Sequence, residues 1–406
     1  MSRLPCPACA TPGGAVLATA TFARIDAPPE HPGGPWRPTD TLDGYAVTAC
    51  PSCGLVSGRG TFDQAQLDRY YARLSKYTTH ATEPPHDAAR FAHVAAFLDA
   101  QGLSHDTPII ELGSTTGGFL AAARDRGYSA LAGIEPDAGS AAMARARGLD
   151  VTAGTLSGLT ERLRGPHPPA VGALVLLHVL EHVVDLAGFV ALLDTVLPAD
   201  GALFVEVPDA SRFDLSDAIP FQQFSVEHVN FFSAASLARL FAPIGLQPVG
   251  VFQVDREVGR AWPEPAVGVL FRRGGADVRL PDDDAPAAIA RYVARSTLAE
   301  APIRRTIDTW SARRAPFLLW SVGTQALRLL ATSALSTAPI AAFIDGNPRY
   351  AGHRLLDRPI LPPAALRDRT EPILIATTGY TAPILHHLRA ELRYPHEVGV
   401  LDPGAA

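Results

Sequence analysis

The stretch IIELGSTTGGF, residues 109 to 119, decides how this chain is read. Its apolar start predicts a strand, and Gly113 and Gly117 bracket a turn of small residues that opens into the helical pattern GGFLAAARDRG. Glycines there let backbone approach a ligand closely, and the free N–H groups of the following helix can receive it. Just over twenty residues downstream, ALAGIEP places Glu135 at the tip of the next predicted strand, where a carboxylate can accept both hydroxyls of a ribose. With Glu111 and Ser114, these residues are candidate contacts for a nucleoside-type cofactor. NAD and S-adenosylmethionine (SAM) both carry one. The spacing departs from the dinucleotide pattern GxGxxG, and a cationic sulfonium needs no phosphate cradle, so SAM is the expected cofactor.

Outward from this stretch the pattern alternates. ALVLLHV, ALFVEVPD, FLLWSVG, IAAFIDGNP and PILIATTGY read as strands, separated by helical segments such as SAAMARARG, FVALLDTVL and TQALRLLATSAL. Such alternation predicts an α/β fold with parallel sheets covered on both faces. The polar segment GGADVRLPDDDAPAA separates two doubly wound units. The expected organisation is a small module over 1–75, a Rossmann-like core over 76–280 and a C-terminal Rossmann-like α/β domain over 281–406.

All four cysteines fall in the first module, as CPAC (Cys6, Cys9) and CPSC (Cys50, Cys53). Two CxxC knuckles can set four thiolates around one structural Zn²⁺, and the Pro/Gly-rich loop between them has little core of its own. The 406 residues include 35 basic and 41 acidic side chains, and Lys76 is the only lysine. That balance argues against nucleic acid as a partner. The start MSRLPCPACA shows no basic segment followed by an apolar run, and no apolar stretch is long enough to span a bilayer. A cytoplasmic protein without a membrane partner is expected. Oligomeric state leaves no mark in the sequence.

The segment LLHVLEHVVDLAGFVALLDTVLPADGALFVEVPD resembles the fourth strand, helix, glycine turn and fifth strand of class I SAM-dependent methyltransferases. By position His178 and Glu181 lie at the carboxyl edge of the sheet, where ligands bind, so His178 is expected to line the cofactor pocket and His182 to be structural. The order of parts narrows the likeness. A four-cysteine module, this core, VEHVNFFS at 226–233 and IDGNPRYAGH at 344–353 together resemble the sugar C-methyltransferases of antibiotic deoxysugar pathways, such as those of the mycarose and noviose routes.

That resemblance implies methylation of the carbon beside a ketone on a nucleotide-linked 4-keto sugar. His228 would be the general base and Glu227 would orient it, with the surrounding phenylalanines excluding water. Ser225 stands where the family has a tyrosine, and the turn Gly-Ser-Thr-Thr-Gly lacks the family's carboxylate. Tyr71 or Tyr77 could supply the missing phenol. Asp345, Asn347 and Tyr380 lie at predicted strand tips of the C-terminal domain, which in the family helps bind the nucleotide end of the substrate. Other acceptors, O- or N-methylation or RNA, and a catalytically inactive SAM-fold subunit are the alternatives.

Overall fold

The computed structural model describes residues 4–26, 44–60, 63–71, 85–155, 170–215, 219–225, 227–258, 262–275, 278–281, 284–350 and 352–401. Tyr77 lies outside them.

The central sheet has seven strands. Numbered in chain order, they run β11 (Leu246–Val258), β12 (Trp262–Arg273), β9 (Ala202–Pro208), β8 (Ala173–Leu177), β5 (Ile109–Leu112), β6 (Leu131–Glu135) and β7 (Val151–Ala153) across the sheet. The five strands from β9 to β7 are parallel, and β12 is antiparallel to β9. β8, ALVLL, is buried along its whole length, as a parallel strand covered on both faces must be. The strand order reverses between β5 and β8, so a crevice opens beyond their carboxyl ends, at Gly113 and His178.

The long hairpin of β11 and β12 had no counterpart in the sequence reading. Pro248, Pro263 and Pro265 interrupt its alternation. The sheet tolerates Pro248 because the register slips between it and Gly250.

The four-cysteine module folds as the antiparallel sheet β1 (Ala15–Thr21), β3 (Gly44–Ala49), β4 (Val56–Arg59) and β10 (Asn230–Phe231). Its last strand is thus supplied by the segment after His228, some 170 residues downstream. The third sheet runs β18 (Val398–Val400), β17 (Ile373–Ile375), β13 (Phe317–Trp320), β14 (Ile340–Ile344), β16 (Arg358–Leu361), β15 (Arg354–Leu355) and β2 (Ile25–Asp26). Here the edge strand comes from the N-terminal module.

One core joins these parts. Phe213, Phe224, Phe231 and Tyr292 are buried together with Tyr45, Val47 and Val56 of the first sheet and Phe317 and Leu319 of the third. Phe224 packs edge-on against Phe231 and Tyr292, with ring centroids 5.4 and 5.5 Å apart. Tyr292 lies on the helix Ala285–Ser311, and its hydroxyl accepts the Gln223 amide at 3.0 Å. Phe224 and Phe231 therefore fasten this segment to the core shared by the two outer sheets, and Phe232 to the core of the central one.

Candidate active site

At the carboxyl end of β5 the chain turns through Gly113 (φ 75°) and Thr115 (φ 47°), both in the left-handed region. A Cβ on Gly113 would stand 2.6 Å from Val179 Cγ2, so this position also needs glycine for space. Ser114 is buried, and its hydroxyl has no hydrogen-bond partner among the described residues. Glu111 is buried within β5. The Glu135 carboxylate clasps the turn: Oε2 accepts the Thr115 amide at 2.8 Å and Oε1 the Asp137 amide at 2.9 Å. Burial raises its pKa to about 7 despite these two bonds. Gly117 (φ 82°) precedes the helix Gly118–Asp125. The sequence candidates Glu111, Gly113, Ser114, Gly117 and Glu135 thus meet at one edge. They form a glycine cradle with an orphaned buried hydroxyl and a carboxylate beside it, which fits a nucleoside ligand.

His178 follows β8 in a left-handed conformation (φ 54°), and its amide donates to the Glu206 carbonyl at 2.8 Å. Its side chain turns inward between two buried carboxylates. Nδ1 is 3.3 Å from Glu181 Oε1, and Nε2 is 3.3 Å from Glu206 Oε1. Burial works against charge on the ring, but the two carboxylates override it and raise the His178 pKa to about 9. Burial likewise opposes charge on Glu181, yet His178, His182 and His228 pull its pKa down to about 2. Glu206 is also paired with Arg256, whose guanidinium reaches His93 Nδ1 at 3.0 Å. His178 is therefore the hinge of a buried chain of charges.

His182 and His228 stand on the other side of Glu181. Their rings meet edge to face with centroids 4.9 Å apart, and His182 Nε2 is 3.9 Å from Glu181 Oε1. One ligand atom each from Glu181, His182 and His228 lies within 4.8 Å of the others. His182 Nδ1 contacts both the Glu227 carbonyl and the Tyr71 hydroxyl, each at 2.9 Å. A carbonyl can only accept, so Nδ1 carries a proton and Nε2 faces the carboxylate.

The chain around His228 is held from three sides. The Ser225 hydroxyl accepts the amides of Glu227 and His228 at 3.3 and 3.1 Å. Its carbonyl accepts the Tyr45 hydroxyl at 2.8 Å. The Val229 amide donates to the Glu181 carbonyl at 2.9 Å, and the Val229 carbonyl accepts from Gly58 of β4 at 2.8 Å.

Sequence reasoning paired His228 with Glu227 alone. It placed Glu181 with His178 at the carboxyl edge of the sheet and read His182 as structural. The fold brings both beside His228. The i, i+1 spacing of Glu181 and His182 was a readable signal, but their contact with a segment 46 residues away depends on β10 pairing with β4.

The four cysteine sulfurs cluster as the paired CxxC motifs require. Cys6 and Cys53 are 3.6 Å apart, as are Cys9 and Cys50. Four sulfurs at about 2.3 Å from a tetrahedral Zn²⁺ would be about 3.8 Å from one another, whereas a disulfide would need about 2.05 Å. The donor set fits a closed metal centre.

In the C-terminal domain Asp345 repeats the geometry of Glu135. Its carboxylate accepts the amides of Val322 at 2.9 Å and Asn347 at 2.8 Å, and burial raises its pKa. Tyr380 is exposed at the start of the helix Thr381–His386. Asp345 and Asn347 follow the carboxyl end of β14 and Tyr380 that of β17, both in the third sheet, whereas Gly113 and His178 follow strands of the central sheet.

Residues 63–251 match a family model described as a methyltransferase domain. No curated protein matches the chain. Among solved structures, an S-adenosylmethionine-dependent methyltransferase from Mesorhizobium loti is 16% identical, with 45% of this chain and 98% of that chain covered and a TM-score of 0.34. One from Clostridium acetobutylicum is 9% identical, covering 48% and 94% at a TM-score of 0.35. A magnesium protoporphyrin IX methyltransferase from Synechocystis is 12% identical, covering 52% and 99% at a TM-score of 0.35. The class I methyltransferase fold expected from the sequence is the fold of the central region. Among the described residues no helix is long and apolar enough to cross a membrane.

The His178 ion pairs make a pH prediction. A histidine pKa raised in the folded state adds stability that is complete below about 6.5 and is lost as pH rises through about 9. Denaturant unfolding of the wild type should therefore show stability falling over that window, by roughly 3 kcal/mol at most from this group. His178→Gln should flatten the decline. An equal slope in both proteins would contradict the ion pairs.

Proposed function

We propose that this methyltransferase uses SAM to methylate the carbon beside the ketone of a nucleotide-activated 4-keto sugar, with His228 as general base. One observation carries the reading: two imidazoles, His182 and His228, converge on the buried Glu181 at the same sheet edge as the glycine cradle of Gly113. A carbon acid needs a base near neutral pKa, close to the cofactor and away from bulk water. His228 is half-buried there.

Bound SAM supplies an electrophilic methyl group and leaves as S-adenosylhomocysteine. The turn Gly113–Gly117, with Glu111, Ser114 and Glu135, holds its nucleoside and amino-acid parts. His228 takes a proton from the carbon, and the electron pair moves onto the ketone oxygen, which leaves that carbon nucleophilic toward the methyl group SAM would supply. The Tyr71 hydroxyl, 2.9 Å from His182 Nδ1, can donate to the developing enolate oxygen, a task open to it because Ser225 carries no phenol. Ser225 shapes the loop by accepting two amides. Asp345, Asn347 and Tyr380 serve the nucleotide end of the substrate. Cys6, Cys9, Cys50 and Cys53 hold one structural zinc. Its loop closure supports β4 and, through the β4–β10 pairing, the backbone next to His228.

The test is transfer from SAM labelled with ¹³C in the methyl group to a panel of nucleotide-linked 4-keto sugars, with the product read by mass spectrometry and NMR. The label should appear as a carbon-bound methyl. His228→Ala should lower turnover by about 10²- to 10⁴-fold while calorimetry gives a SAM affinity within a few-fold. Label on oxygen or nitrogen, or unchanged turnover, would reject the reading.

Elemental analysis should find one zinc per chain, absent after chelation or in Cys50→Ser. Hydrogen exchange should then show the Gly58 amide losing protection while that of Leu174 in β8 keeps it. An absence of zinc in the purified protein, or unchanged exchange, would contradict the metal centre.

A further inference from the structure

We infer that Glu181, not Glu227, is the carboxylate that positions His228 and balances the charge it gains on taking a proton. The inference rests on His228 being the base. Four observations carry it. First, Glu181 is 1% exposed, and among the described residues no backbone amide or hydroxyl donates to it, so imidazoles are its counter-groups. Second, His228 reaches it within the same 4.8 Å cluster as His182. Third, the main chain fixes the pair, because the amide of Val229, next to His228, donates to the carbonyl of Glu181. Fourth, the His228 ring packs edge to face on His182, with centroids 4.9 Å apart, and His182 Nε2 faces the same Glu181 carboxylate.

The surrounding charges are arranged to leave Glu181 ionised. His178 stands between Glu181 and Glu206, and Glu206 is matched by Arg256, with His93 and Arg90 further along the network. The His182 ring packs against His228, and the Tyr71 hydroxyl lies against His182. When the carbon–hydrogen bond breaks and the proton settles on His228, the new imidazolium faces a carboxylate that is already charged, and the electron pair goes to the ketone oxygen. Glu181 is a positioning residue: it acts through His228 and touches no reacting atom.

The experiment is an NMR titration of the full chain, with histidine labelled at ¹³Cε1 and S-adenosylhomocysteine bound. The His228 signal is assigned by its loss in His228→Gln. Glu181→Gln should lower the His228 midpoint by about one unit or more, and Glu227→Gln by less than about half a unit. Glu181→Asp keeps the charge and should hold the midpoint closer to wild type than Glu181→Gln does. This variant also decides the matter should circular dichroism show Glu181→Gln unfolded, because Glu181→Asp must then still titrate as the wild type within about half a unit. With a thymidine-diphosphate-linked 4-keto-6-deoxyhexose as acceptor, the acid limb of kcat/KM should move with the NMR midpoint.

Three results would overturn the inference: a midpoint unmoved in Glu181→Gln, a larger shift in Glu227→Gln, or a second metal ion per chain that is lost in His228→Ala. Failure here is separable from failure of the function. Loss of transfer in His228→Ala with an unmoved midpoint in Glu181→Gln rejects Glu181 alone, whereas full transfer by His228→Ala rejects the base.

Discussion

A carboxylate taken wholly out of water must be matched where it stands, and Glu181 sets that condition for the centre of this protein. Its own helix turn, Leu180–His182, brings only His182. His178 is bent into a left-handed conformation that no strand would choose, and in that posture its ring lies between Glu181 and Glu206. His228 arrives from the far side. Strain at His178 and ordering of the 227–231 segment are thus both offset by charge pairing around one residue. Removing a single partner from such a network typically costs about 3–5 kcal/mol, so its members are not interchangeable with neutral side chains.

That demand is met by a strand that crosses into the N-terminal sheet. His228 reaches Glu181 because Asn230 and Phe231 pair with Ser57 and Val56. The Asn230 side chain meanwhile donates to the Val183 carbonyl at 2.7 Å. The four-cysteine cluster lies at the start of the strand that receives them. Further along, Ile25 and Asp26 cross to β15, and the Ala23 amide donates to the Leu327 carbonyl at 2.9 Å. The N-terminal module is a clasp between the catalytic sheet and the C-terminal one. Phe213, Phe224, Phe231 and Tyr292 form the apolar lining of that clasp.

Local pattern was enough for much of this. The strands at 109–112, 131–135, 173–177 and 202–208 fall where continuous apolar runs stand between glycine turns, and the long helix 285–311 where the period is 3.6. The cysteine cluster followed from spacing alone. The hairpin 246–273 did not, because its prolines break the alternation that marks a strand. The exchanged strands β2 and β10 were illegible for a different reason: two residues carry no period, and their partners lie about 330 and 170 residues away. The site divides in the same way. Gly113, Glu135 and His228 are conspicuous in sequence, whereas Glu181 becomes notable only once three imidazoles are seen to share it. Glu135 and Asp345 show the limit from the other side. Each was placed correctly at a strand tip, but that each would clasp its own turn through two backbone amides is a fact of geometry.

The account depends most on proton removal by the imidazole at 228, a step that can be watched without methyl transfer. The enzyme, loaded with S-adenosylhomocysteine, is incubated with a nucleotide-linked 4-keto sugar in deuterium oxide, and the sugar is examined by NMR. The wild type is predicted to exchange the hydrogen on the carbon adjacent to the ketone for deuterium, and the His228→Ala protein to leave it at the rate of the free sugar. Equal exchange by the two proteins would contradict the account.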